Sequence, residues 1–175
     1  YRPEKCSQMV RQLLFIPPYH FIVFDRVVST DAAYTKRWLL HHANEPVLDG
    51  NTWHSDQDRG RIFCRTLLPV DAVIEPIGGP GKEFLADGVN YAIDAGPSEQ
   101  TGKSIPSLKP IQYDEVPELM GRRRVEVSPG AARTDDVFLH LIQVGDQTLE
   151  RMDEATINQT ADTATLTFSH EGNTV

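Results

Sequence analysis

Arginine, histidine and aromatic residues are the side chains of this sequence best placed to do chemistry, and their spacing decides which of them can act together. The cluster Ser55-Asp56-Gln57-Asp58-Arg59-Gly60 is turn-forming, because Asp, Ser and Gly favour chain reversal. Side chains alternate across the flanking strands. His54, Arg61, Phe63, Arg65 and Leu67 therefore share one face, and Trp53, Ile62, Cys64, Thr66 and Leu68 share the other. With the turn centred on Gln57 and Asp58, Trp53 opposes Ile62, His54 opposes Arg61 and Thr52 opposes Phe63. The Trp53 face reads as core. The His54 face is basic and aromatic, which is unusual for a solvated surface. Arg122-Arg123-Arg124 is the basic run of the chain. On a strand Arg122 and Arg124 project to one face and Arg123 to the other. Guanidinium forks grip carboxylate and sulfate bidentately, so the run could meet an acidic polysaccharide or simply pair with neighbouring Glu and Asp. Sugar rings stack on flat apolar surfaces, and Trp38, Trp53, Tyr91 and Tyr113 are candidate platforms by type. Trp53 reads as core, whereas Tyr113 sits in a long loop. The candidate binding set is His54, Arg61, Phe63, Arg65, Arg122, Arg124 and Tyr113.

Other chemistries fit less well. There is no Gly-x-Ser-x-Gly elbow, and Cys64 falls on the core face, where a thiol is inert. Cys6 and Cys64 are expected to be free, although a disulfide between them is compatible with the sequence. None of His20, His41, His42, His54, His140 and His170 has the spacing of a zinc site. Neighbouring His41 and His42 point to opposite faces, and His140 reads as a buried, satisfied histidine. Asp56 and Asp58 could offer oxygens to a structural calcium ion, but the Asp-x-Asp-x-Asp-Gly continuation is missing, so no cofactor is implied. Gly78-Gly79-Pro80-Gly81-Lys82 is a turn and no phosphate loop, since Pro80 lacks an amide donor and no Ser or Thr follows Lys82.

The elements that carry these residues read as strands. The candidates are Gln12 to Ile16, His20 to Ser29, Lys36 to His42, Asn51 to Ser55, Arg61 to Leu68, Ala72 to Ile77, Val89 to Ile93, Arg123 to Ser128, Val137 to Val144 and Ala164 to Ser169. His20 to Ser29 is apolar on both faces at first, as expected of a strand covered on both sides. Gly and Pro clusters punctuate the series. Ala32 to Leu40 and Leu149 to Ile157 are short helical candidates without a sustained stripe. The prediction is an all-β fold, an antiparallel β-sandwich of about ten strands. One long loop, 95–121, contains Pro97, Pro106, Pro110 and Pro117. A single domain accounts for all 175 residues. The chain begins Tyr1-Arg2-Pro3, and the expectation is a module excised from a longer protein.

Composition removes whole classes. Seventeen Lys and Arg against 25 Asp and Glu give a net charge of −8, which disfavours a nucleic-acid partner. No apolar run approaches the roughly 20 residues that cross a bilayer, so no membrane partner is expected. An apolar fraction of 39% is enough for a core and argues against overall disorder.

Several segments, in order, resemble the distal part of heparinase II/III-like polysaccharide lyases. They are Phe21-Ile22-Val23-Phe24-Asp25-Arg26-Val27, Trp38-Leu39-Leu40-His41, Asn44-Glu45-Pro46 and the run from Gly60 to Pro69. Gly78 to Phe84, Arg124-Val125-Glu126-Val127-Ser128-Pro129 and Phe138 to Asp146 continue the series. A Trp is usual in that family at the position of Arg123. The resemblance implies a C-terminal β-sandwich that follows an (α/α) toroid, in enzymes that cleave uronate-containing polysaccharides by β-elimination. It also implies a secreted or periplasmic protein. The family's catalytic Tyr and His and its His-x-His-x-Asp-like metal segment have no counterpart here, so no catalytic residue or metal ligand is carried over. The leading expectation is a non-catalytic carbohydrate-binding module for a uronate-containing polysaccharide, with the toroid of the parent chain as a further partner. The alternatives are a domain that only buttresses the toroid and, less favoured, an active lyase needing the toroid as a separate chain.

Overall fold

The structure, a computed structural model, describes residues 4–91, 122–160, 163–170 and 173–174. They form fourteen strands and, among the described residues, no helix. The centre is a six-stranded antiparallel sheet in the order β1-β2-β11-β6-β5-β4. Its members are β1 Cys6–Ile16, β2 His20–Ser29, β4 Val47–Asp49, β5 Thr52–Gln57, β6 Gly60–Leu68 and β11 Asp135–Asp146. A three-stranded sheet, β3-β10-β7, is built from Trp38–His42, Arg123–Ser128 and Val73–Gly78. A second, β12-β13-β14, uses Ala155–Gln159, Ala164–His170 and Asn173–Thr174. The hairpin β8–β9 (Leu85–Ala86 and Val89–Asn90) completes the set.

Alternation along β2 and β11 explains the layering. Val23, Phe138 and Ile142 pack with Trp53 and Cys64 against Trp38, Val125 and Val127 of the β3-β10-β7 sheet. On the opposite face Leu139, Leu141, Phe63, Leu67 and Leu68 pack against Met152 and Phe168. The large sheet is therefore covered on both sides, as the two apolar faces of β2 predict. The expected sandwich is present with the six-stranded sheet as its middle layer.

Three sequence expectations change. The 149–157 segment is no helix. Met152 plugs the second core, and Ala155–Gln159 pairs with β13. Ala32 to Leu40 likewise gives irregular backbone and then β3. In the β5–β6 hairpin Gln57 pairs with Gly60, so the turn is Asp58-Arg59, with Asp58 at φ 52, a conformation Asp tolerates better than most residues. Trp53 then opposes Cys64 and His54 opposes Phe63. This shifts the register but leaves each residue on its expected face. The exception is Leu68. A register shift against Leu139 and His140 makes Leu67 an extra residue in β6, a bulge, which turns Leu68 into the second core.

Candidate functional site

The basic–aromatic cluster of β5 and β6 is assembled as the sequence predicts. The His54 ring lies 5.2 Å from Phe63, and the Arg61 guanidinium carbon lies 5.9 Å from the same ring. Phe63 itself is only 5% exposed, because Met152 and Phe168 cover it. Arg61 faces Asp56 directly across the hairpin. It grips that carboxylate through Nε at 2.6 Å and Nη2 at 2.8 Å, and Nη1 donates to the Leu149 carbonyl at 2.9 Å. Its hydrogen bonds hold the Asp56 carboxyl below the usual range. Arg65 donates from Nε to Thr52 Oγ1 at 3.0 Å and from Nη1 to the Asp153 carbonyl at 3.2 Å. Both arginines thus tie the 149–153 connection to the middle sheet.

Arg122 and Arg124 belong to the other side of the molecule. Val125 and Val127 point inward from β10, fully buried, so Arg124 and Glu126 face outward. They lie beneath the β8–β9 hairpin. Arg124 Nε donates to Glu126 Oε1 at 2.7 Å, and its Nη2 reaches the Leu85 carbonyl. Arg123 pairs with Glu45 at 3.2 Å. Arg122 is half-buried just before β10. The seven nominated residues therefore do not form one surface: four sit on the β12-β13 side and two on or beside β10, while Tyr113 lies outside the described residues, as does 95–121.

His140 and His42 are structural. His140 is fully buried, stacked on Trp38 at a centroid distance of 3.7 Å, with Nδ1 3.2 Å from Thr66 Oγ1. Burial, then the charge of Arg11, lowers its pKa to about 3. His42 accepts the Trp53 Nε1 proton at 3.2 Å, and burial, then His41, lowers it to about 4. Cys6 and Cys64 are free thiols, and burial pushes Cys64 well up. Asp56, one of the two calcium candidates, has its oxygens on Arg61. Among the described residues no group of three or more His, Cys, Asp or Glu could hold a metal ion.

A feature missed in the sequence lies on β1, the edge strand of the middle sheet. Leu13, Leu14 and Phe15 are 67%, 56% and 48% exposed. Beside them runs an apolar groove of about 460 Å³, with Ile22, Phe24, Leu139 and Leu166 in its walls. The sequence signal was the run Gln12 to Ile16, which reads equally well as core.

No family model matches the sequence, and no curated protein matches it. The fold, however, is similar to part of a solved structure described as a heparan sulfate lyase HepC mutant from Pedobacter heparinus. The TM-score is 0.54 and the identity 16%, over 98% of this chain and 23% of the lyase chain. At that identity the likeness is one of fold. The class it defines is an all-β domain with the fold of part of that lyase, and this chain spans under a quarter of that lyase's length.

Proposed function

We propose that the chain is a non-catalytic β-domain of a polysaccharide lyase, and that the exposed end of β1 is the surface by which it braces the enzyme's helical toroid. The observation that carries this reading is the apolar exposure of Leu13, Leu14 and Phe15 on a sheet edge that has no partner strand among the described residues. Isolated domains avoid such edges, because they template aggregation. Burying a Leu or Phe side chain yields roughly 1.5–3 kcal/mol, so these half-exposed residues together offer about 3 kcal/mol to a partner. The likeness to 23% of a lyase supports a large remainder as that partner. Such a protein acts on a uronate-containing polysaccharide by β-elimination and is secreted or periplasmic.

The test is the substitution Leu13→Ser, at the most exposed of the three. The 175-residue chain should keep its thermal midpoint, and the full-length lyase should lose activity, read as the unsaturated uronate chromophore. Unchanged activity would sink the bracing role.

The assembled His54, Phe63 and Arg61 cluster supports a second reading, a carbohydrate-binding module for an acidic polysaccharide. It would use the nominated set His54, Arg61, Phe63, Arg65, Arg122, Arg124 and Tyr113. Affinity electrophoresis through gels of acidic and neutral polysaccharides tests it, with Arg61→Ala and Arg65→Ala as variants. Loss of binding at constant stability supports this reading. Equal loss of both marks those arginines as structural.

A further inference from the structure

Four cations stand close together at one place, one of them, Lys36, already paired with buried Asp136 at 3.0 Å. A hollow of about 680 Å³ opens between the first half of β1, β2 and the 33–39 segment. It is lined by Lys5, Arg11, Lys36 and Arg37 against two carboxylates, Asp25 and Asp87, in a protein of net charge −8. A second hollow of about 590 Å³ lies on the outer face of β3 and β10, with His41 and Arg124 in its lining beside the carboxylates Glu83 and Glu126; Arg124 is tied to Glu126 there. The two share Thr35, Arg37, Leu39 and Asp87, so they form one continuous furrow with Arg37 at the saddle.

We propose that this furrow binds an anionic saccharide, a chain of sugar rings bearing carboxylate or sulfate groups. Arg11 is held from beneath. Its Nε and Nη2 lie 2.8 and 2.6 Å from the oxygens of Asp25, which is 1% exposed. That grip fixes the guanidinium plane and leaves Nη1 for an anion, and a donor ordered in advance loses less entropy on binding. At the mouth, Lys5 Nζ lies 5.3 Å from the Tyr34 ring centroid. A cation beside a flat ring suits a pyranose that carries its charge next to an apolar CH face. Trp38 lines the hollow at 5% exposure, close enough for its fluorescence to report an occupant.

Arg37 has one firm neighbour and one replaceable one. Its Nε is 3.4 Å from Glu126, and its Nη1 is 3.0 Å from Asp87, whose side chain is 82% exposed. Asp87 sits in the turn of the β8–β9 hairpin. An exposed ion pair of this kind adds little stability, so a ligand carboxylate or sulfate can take its place. The site uses Lys5, just before β1, and Arg11 of β1, and the docking surface uses Leu13 to Phe15, so either role can fail without the other.

Tryptophan fluorescence and calorimetric titration of the 175-residue chain test the furrow. The probes are a heparin hexasaccharide, hexagalacturonate and maltohexaose. The expected result is saturable, salt-sensitive binding of at least one acidic probe and none of maltohexaose, with the acidic probes separating sulfate from carboxylate recognition. Lys5→Ala and Tyr34→Ala should each weaken binding about fivefold or more at an unchanged thermal midpoint, and Arg59→Ala, an exposed cation of the β5–β6 turn, should not weaken it. No binding of either acidic probe overturns the proposal. Equal affinity for maltohexaose overturns it too, as does acidic binding that survives Lys5→Ala and Tyr34→Ala.

Discussion

Lowering the pH should unfold this domain through two buried histidines, and the size of the effect follows from where they sit. His140 has no exposed surface and lies between the rings of Trp38 and Phe138, at centroid distances of 3.7 and 6.5 Å. Its pKa is near 3 in the folded chain. His42 is 4% exposed, and Nε2, the atom a proton would need, already accepts a hydrogen bond from Trp53. Its pKa is near 4. Both return to about 6.5 when the chain unfolds. Because each folded-state value is depressed, the unfolded chain binds the extra proton first. The stabilisation is complete above about pH 6.5 and drains as pH falls toward 4 for His42 and toward 3 for His140. Inside its window each histidine contributes about 1.4 kcal/mol per pH unit. Between pH 6 and 4.5 that is roughly 2 kcal/mol each and about 4 together, against a typical domain stability of about 5–15 kcal/mol. Asp56, held low by Arg61, acts in the same direction, but only below its ordinary carboxylate range. The window above pH 4.5 therefore belongs mainly to the histidines. Urea unfolding followed by tryptophan fluorescence, repeated from pH 7 to pH 4.5, measures the slope. His140→Phe keeps a ring against Trp38 and strips Thr66 of its partner. It should cost about 1–2 kcal/mol at pH 7 and reduce the acid slope by about half. A wild-type stability that is flat over this range, or a His140→Phe variant with the full slope, refutes the reasoning.

Two further outcomes are expected. Arg11→Ala leaves the Asp25 carboxylate buried without its cation and should cost about 3 kcal/mol in urea unfolding. Adding Asp25→Asn should restore part of that loss. A thiol reagent should titrate Cys6 alone in the native chain and both cysteines in denaturant, because Cys64 is 1% exposed and burial raises its pKa.

Sequence patterning located the strands whose chemistry is local. The double apolar face of His20 to Ser29 announced a covered strand, and Trp53 and Cys64 share the core face assigned by alternation. Pairing of the Arg122-Arg123-Arg124 run with neighbouring acids was one of two readings the sequence left open, and Arg124 takes it with Glu126. Of the third layer only β13 was legible, as the strand Ala164 to Ser169. Residues 149–157 have neither strand alternation nor a helical stripe, and only the packing of Met152 on Phe63 and Leu67 fixes their place. This also explains the reading of the His54 face. A ligand and a further strand can both cover an aromatic residue flanked by arginines, and one strand's pattern does not tell them apart. The furrow drew on residues too far apart in sequence to be grouped, from Lys5 on one end to Arg124 on the other.

Covering both faces of the middle sheet limits where this domain can meet anything else. Arg61 and Arg65 strap down the connection to β12, Arg124 holds the β8–β9 hairpin, and Arg133 is engaged by Asp71 and Asp136. Those guanidinium groups are part of the fold, and removing one unties a loop before it weakens a ligand. The exposed cations Lys5, Arg11 and Arg37 lie where β1 and β3 border the first hollow, and the exposed apolar side chains Leu13 to Phe15 follow on the same edge strand. Arg11 and the run Leu13 to Phe15 put a cationic and an apolar surface next to each other on β1, so the two proposed roles can act side by side without sharing a side chain.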